Sequence, residues 1–305
     1  MSLPFFVPIL VLPDARSWFM IFVIRPKQAP QILLSLGLVI GMAFQVKAQF
    51  KPSPNNPLDG RPAPRQSVRP NDMLWMRTVW RRVDLRQKMN QTMYFPEDPS
   101  QGRKSLYQFM LDGLLQEQTL TAYSVGPLGM DDMFSTPLGK DEVLAVVRKL
   151  DTVLSIDPFT LEEGYVSIPT WIESEDIVAF DIKERWYIDA QHATMKVGIV
   201  GIAPVAMVID LETGEYRGTK RLFWVNYDEA RSAMATWPVF VRSNDLQYIS
   251  YDDFFVQRRF DGTITKVSNV YDRAFVEYLG PEDALYQARQ EHEKIRELEL
   301  DMWNF

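Results

Sequence analysis

The chain contains no cysteine and only two histidines among its 305 residues. The first absence excludes disulfides, thiol nucleophiles, thiolate metal ligands and the acylation site of a lipoprotein. The second leaves little for a histidine metal centre, which needs two or three convergent nitrogens. His192 and His292 stand a hundred residues apart. His292, between Glu291 and Glu293, reads as a packed or interfacial residue on a helix, and His192 as a turn or edge residue. Also missing are a GxSxG nucleophile elbow, a GxxxxGK[ST] phosphate loop and a GxGxxG turn after a strand. Asp131–Asp132 and Asp252–Asp253 are the obvious acid pairs. Adjacent acids in loops or first helical turns solvate or cap unless a spatial partner gives them other work. No catalytic, metal-binding or cofactor-binding residue is assigned, and an enzyme on dispersed carboxylates stays open as an alternative.

Long apolar runs are scarce too. Ile32 to Phe44 is an uncharged stretch of 13 residues, short of the roughly 20 that span a bilayer as a helix. Arg25 and Lys27 precede it and Val46-Lys47-Ala48 follows, the three parts of a secretory signal with cleavage between Ala48 and Gln49. Residues 1–48 are therefore expected to be a signal peptide, and a start at Met20 gives it a conventional length. An uncleaved inner-membrane anchor is the alternative.

What remains is uneven in charge. Residues 49–106 hold 11 basic and 5 acidic side chains, whereas residues 107–305 hold 18 and 34. An acidic body repels phosphate, which with the secretory signal argues against nucleic acid. The basic portion begins with an arm, residues 49–70, in which six prolines and Arg61, Arg65 and Arg69 preclude helix or central strand. Such an arm either reaches an acidic neighbouring copy or packs on its own body.

After Pro70 comes NDMLWMRTVWRRVDLRQKMN, with Trp75, Trp80, four arginines and a lysine. Met73, Met76, Trp80 and Val83 recur at helical spacing and predict an amphipathic helix capped by Asn71 or Asp72. Its Trp/Arg mixture suits a membrane interface, although Asp72 and Asp84 weaken that reading in favour of core packing or partner docking. Further helices are expected from about Arg103 to Gln116 and from Lys140 to Leu150. From Ile177 the pattern becomes β-rich, with strands through Met195–Ile209, a turn at Thr213–Gly214, a partner strand Tyr216–Tyr227, a turn at Asp261–Gly262 and a strand Thr263–Val267. Ser250–Asp253 reads as a helix start. Pro281 opens a final helix to Trp303 whose stripe is Leu285, Ala288, Ile295, Leu298 and Met302. Together these predict an α+β fold over a single domain, residues 71–305: N-terminal helices, an antiparallel hairpin sheet and a long C-terminal helix.

Several stretches, taken in order, resemble one family. They are Trp80 to Arg86 with Lys88 and Asn90, Tyr94-Phe95-Pro96, Ser105-Leu106-Tyr107 and Thr121-Ala122-Tyr123. Lys183 to Asp189 with Gln191, Gly201 to Pro204, Leu222 to Val225, Asp252 to Phe255, Arg258 to Phe260, Ser268 to Arg273 and Asp301 to Phe305 follow. The set is similar to the GldN/PorN proteins of gliding motility and type IX secretion, from about Asn71 to Phe305; the N-terminal extension and His192, where a basic residue is expected, depart from it. The resemblance implies a non-enzymatic periplasmic subunit without cofactors or a lipid anchor of its own. It implies a homo-oligomeric ring beneath the outer membrane, built with a GldK/PorK-like lipoprotein and touching a GldM/PorM-like motor shaft. Exposed aromatic–arginine clusters are common anchors, so Arg61, Arg65, Arg69, Trp75, Arg81, Arg82 and Arg86 are the candidate partner interface.

Overall fold

The computed structural model describes residues 60–65, 68–100, 102–127, 129–156, 163–209, 216–239 and 249–303. The expected signal segment, its cleavage position and the Thr213–Gly214 turn lie outside them. Along the chain run β1 (Met73–Asp84), α1 (Gln91–Tyr94), α2 (Leu106–Leu115), β2 (Ala122–Tyr123), β3 (Pro137–Leu138) and α3 (Lys140–Val147). Then come β4 (Arg148–Ile156), β5 (Glu163–Trp171), β6 (Ile177–Asp189), β7 (Thr194–Ile209), β8 (Tyr216–Arg221) and β9 (Trp224–Asn226). The remainder is α4 (Tyr227–Met234), α5 (Tyr251–Val256), β10 (Thr263–Val267) and α6 (Pro281–Trp303). The fold is α+β, with a long C-terminal helix and an antiparallel sheet of eight strands in the order β10-β1-β6-β7-β9-β2-β3, β8 pairing with β7.

The opening helix expected after Pro70 is instead a strand. Pro70–Asp72 forms one 3-10 turn, and β1 then runs between β10 and β6. Thr78, Val79, Trp80 and Val83 favour a pleated backbone. A central strand also buries both faces, so its alternation is blurred into something that imitates a helical stripe. Val79 and Val83 are buried on one face and Trp80 on the other. Further on, expectation and structure agree at α2, at β10 and at the span of α6, while Asp261–Gly262, expected as a turn, is an irregular link between α5 and β10. The helix expected to Leu150 ends at Val147, where β-branched Thr152 and Val153 lie ahead in the strand that follows. The strand expected over Tyr216–Tyr227 is split into β8 and β9, and Tyr227 already belongs to α4.

Cross-strand partners share a face of a sheet, so the register sorts the side chains. One face holds Val79, Arg81 and Val83 of β1 beside Glu184, Ile182 and Phe180 of β6. Helices cover it. Val83, Phe180 and Ile182 pack with Leu106, Phe109 and Met110 of α2 and with Phe254 and Phe255 of α5. Val79, Ile264 and Val267 pack with Phe275 and with Ala284, Ala288 and Ile295 of α6. The buried stripe of α6 is thus Ala284, Ala288, Glu291 and Ile295, and Leu285, expected inside, is 60% exposed.

The opposite face holds Trp80 and Arg82 beside Lys183, Asp181 and Lys266. A loop, not a helix, covers its centre: Tyr123, Val125 and Phe134 pack on Trp80, Ala203 and Trp224. Gly201 makes room for that loop, since a Cβ there would stand 2.4 Å from the Phe134 ring. A β-bulge lies beside it, where Lys183 pairs with Gly201 but Glu184 with Ile199. Asn90, fully buried, ties the end of β1 to the segment before β10. Its Nδ2 donates to the carbonyls of Asp84 and Asp261, and its Oδ1 accepts from the Asp261 amide.

Candidate interaction site

The sequence points to arginines, and the structure divides them sharply. Arg81 is buried on the helix face. It donates to the Gly262 carbonyl at 2.6 Å and lies 3.5 Å from the Glu184 carboxylate. Glu184, fully buried, also accepts from Arg258 and from the Trp186 indole, each at 2.9 Å. These groups form a charged layer where Arg81 stands between apolar Val79 and Val83. Buried charges persist only when paired and hydrogen-bonded, so Arg81 is consumed by the fold.

Arg82 points the other way. Its Nε and Nη2 grip both oxygens of Asp181 at 2.8 and 2.9 Å, and Arg221 approaches the same carboxylate at 2.7 Å. Burial pushes the Asp181 carboxyl up, but the hydrogen bonds and charge of Arg82, with Arg221, outweigh it and hold the group below the ordinary carboxylate value. Arg86 is the open one: its side chain is 85% exposed and pairs with Asp84 two residues before it. Trp75 is half-buried, paired across the sheet with Ile188.

The described part of the arm lies against its own body. The Ala63 amide donates to Asp252 at 2.9 Å, and Arg231 donates to the Ala63 carbonyl. Arg65 pairs with Asp228 at 2.7 Å and stands over the Tyr227 ring. Arg61 and Arg69 are exposed. The arginines are therefore not brought together. Arg65 sits on α4, Arg81 and Arg82 on opposite faces of β1, and Arg86 beyond its end.

The other polar groups singled out by the sequence are likewise tied into the fold. Asp252, fully buried, accepts from Tyr227 and Arg231. Asp132 accepts from Lys183 at 3.0 Å, and the Lys183 ammonium lies over the rings of Trp80 and Phe134. Asp189 receives Lys196 at 2.6 Å and His192 at 2.7 Å; the Lys196 bond first, then His192, hold its carboxyl far below the usual range. Among the described residues no group of three or more histidines and carboxylates could hold a metal. No described helix is long and apolar enough to cross a membrane.

A second surface was not singled out from the sequence. Val270 and Tyr271 are 96% and 78% exposed, and Val276, Tyr278, Leu285 and Tyr286 are exposed in the same short stretch. The Val270–Tyr271 tip is not loosely held. Asn269 accepts from the amides of Tyr271 and Arg273 and donates to the carbonyls of Val267 and Arg273. Lys266 pairs with Asp272 at 2.6 Å, and Arg273 stacks over the Tyr271 ring. The available signal was an Asn followed by two apolar residues inside a polar Ser-Asn-Val-Tyr-Asp-Arg turn, a pattern that displays its hydrophobes.

A comparison with curated proteins finds no match. The profile described as "Gliding motility associated protein GldN" matches residues 68–304, a span that begins at the close of the arm and takes in β1 through α6. Such a match extends over the interlocked sheet, both covered faces and the exposed 270–286 ledge alike, and the chain belongs to the GldN family of gliding-motility-associated proteins.

Proposed function

We propose that this chain is a non-enzymatic structural subunit of the periplasmic ring of the type IX secretion and gliding machine. In this reading residues 1–48 are a removed signal peptide, residues 71–305 form one domain, and a GldK/PorK-like lipoprotein holds it to the inner face of the outer membrane. A GldM/PorM-like shaft is the second partner. The observation that carries the reading is the family match over residues 68–304. The chemistry of the body supports it: the buried acids Asp181, Glu184, Asp189 and Asp252 are each saturated by cations and hydrogen bonds that join separate elements. The interfacial-helix alternative loses its premise, because the Trp/Arg segment is a central strand. Among the candidate arginines, exposed Arg61, Arg69 and Arg86 are the ones free to meet a partner, and Arg65 and Arg82 can do so with their outer atoms.

In-cell crosslinking of a tagged chain, followed by identification of the captured proteins, tests this. Recovery of a lipoprotein and a shaft protein of the secretion machine is the expected result. Capture of neither would overturn it. Deleting residues 49–70 tests the arm: loss of co-purification with the lipoprotein is expected, and undiminished recovery removes the arm from the interface.

A further inference from the structure

On the loop face of the sheet, residues 129–136 form a strap held by charged clasps and by one ring. The Lys183 ammonium donates to the Asp132 carbonyl at 2.8 Å and to its carboxylate at 3.0 Å, and Lys266 stands 3.9 Å from the same carboxylate. Arg221 donates to the Gly129 carbonyl at 3.0 Å. Between these clasps Phe134 lies over Gly201 and meets the rings of Trp224 and Tyr123 edge to face.

The closed strap is an imperfect fit. Phe134 has a φ of 56°, in the left-handed region that a bulky side chain seldom adopts. Such conformations persist only where the surroundings impose them, and they gather at ligand clamps and switches. Beneath the strap, the indole N–H groups of Trp80 and Trp224 are buried and find no acceptor among the described residues. Buried donors are nearly always satisfied, and an orphan is a cost the folded chain carries. Here two orphans share one apolar cluster, with Lys183 and Lys266 over the Trp80 ring and Arg221 over that of Trp224. The floor is richer in donors than its cover is in acceptors. Met130 and Met133 of the strap are 54% and 75% exposed, so its outward side is not packed into the core.

The strap thus sits as a bound peptide would: an acid on a lysine and, two residues on, an aromatic ring in a slot. We infer that it is a displaceable plug, and that the floor beneath it docks an extended segment of a partner protein with an acid two residues before an aromatic ring. Charge complementarity selects that chemistry. When Asp132 leaves, Lys183 loses its acid, while Arg82 and Arg221 share the one carboxylate of Asp181. An acidic segment restores the balance, and its backbone carbonyls supply acceptors to the two indoles. A basic segment meets repulsion there. The inference does not depend on the ring reading, and neither falls with the other.

The test takes the full-length chain and, as probe, a fluorescently labelled synthetic peptide of residues 129–136, Gly-Met-Asp-Asp-Met-Phe-Ser-Thr. In the parent chain the closed strap bonds the Asp131 amide to the Val125 carbonyl. Millimolar peptide is expected to speed hydrogen exchange at that amide at least tenfold; unchanged exchange marks a fixed cover and overturns the proposal. Phe134→Gly vacates the slot and suits the left-handed backbone. By fluorescence anisotropy it is expected to bind the peptide at least tenfold more tightly than the parent, and equal affinity refutes the plug. Asp132→Asn keeps the ring and loosens only the clasp, which leaves the comparison decisive where the glycine variant fails to fold. It is expected to bind several-fold more tightly than the parent, and no gain counts against the clasp. A peptide carrying Asp132→Lys is expected not to bind any of the three chains; binding equal to that of the acidic peptide would sink the charge selection.

Discussion

Asp181 and Glu184 stand three residues apart on β6 and face opposite sides of the same sheet. Glu184 is sealed beneath helices with Arg81, whose side chain is 6% exposed, and of its two arginines only Arg258 reaches solvent, at 31%. Asp181 is just as buried, but both of its arginines reach solvent: Arg82 keeps 39% of its side chain there and Arg221 21%. On the helix face, the buried Arg81 serves only to hold strands and the Gly262 backbone together. On the loop face, a buried acid presents partly free guanidinium groups to the outside. The difference shows that an arginine-rich segment is not one surface, because strand alternation sends neighbours such as Arg81 and Arg82 to different fates.

The sharpest way to break the contrast is Glu184→Gln. It strands Arg81 without an anion in a dry layer, and removing one partner of a buried pair typically costs about 3–5 kcal/mol. Denaturant unfolding reads the loss directly; a cost below about 1 kcal/mol would show that water enters the layer. Phe134→Ala acts on the other face, where it empties the hollow above Gly201. The ring is only partly buried, so about 2 kcal/mol is expected, less than for a full core phenylalanine.

Acidification separates the two faces differently. The Asp181 carboxyl is held below its ordinary value of 3.8 in the folded chain. Its contribution is therefore complete above that unfolded value and is lost as pH falls through the lower folded one. Asp181→Asn is expected to be less stable at neutral pH and to show a shallower loss of stability below about pH 4. A parallel acid limb in both proteins would contradict that assignment. Arg86→Ala stands at the bottom of the series. Its pair with Asp84 is solvated, so the thermal midpoint is expected to stay unchanged while capture of the proposed lipoprotein partner falls.

Much of the fold could be read in advance where one face is wet. β10 has a strong local signal, and so does α5, whose Ser250 cap accepts from the Asp253 amide. α6 was visible in span but not in rotation. Its buried stripe includes Glu291, neutralised by Arg77 and Lys294, and a charged residue at a core position misleads a count of apolar residues. β1 misled for the opposite reason, since a strand buried on both sides has no polar alternation to betray it. The candidate site was legible in its residue types and not in its geometry. Nothing in Arg81-Arg82 says which guanidinium meets Glu184 and which meets Asp181, because those acids lie about a hundred residues away. The ledge around Tyr271 escaped notice because exposed apolar residues, met one at a time, are ordinary.

The position of β1 has one more consequence. It is the first of the described strands, yet it sits one place inside the sheet, clasped by β6 and by β10, with Arg81 paired to Ile182 on one side and Ile264 on the other. The sheet therefore cannot close until nearly the whole polypeptide is present, and its closing pair joins β1 to a strand far along the chain. Pairings of such long range are slow to form. Assembly of this molecule is timed by its tail: the last strand to emerge is the one that locks the first in place.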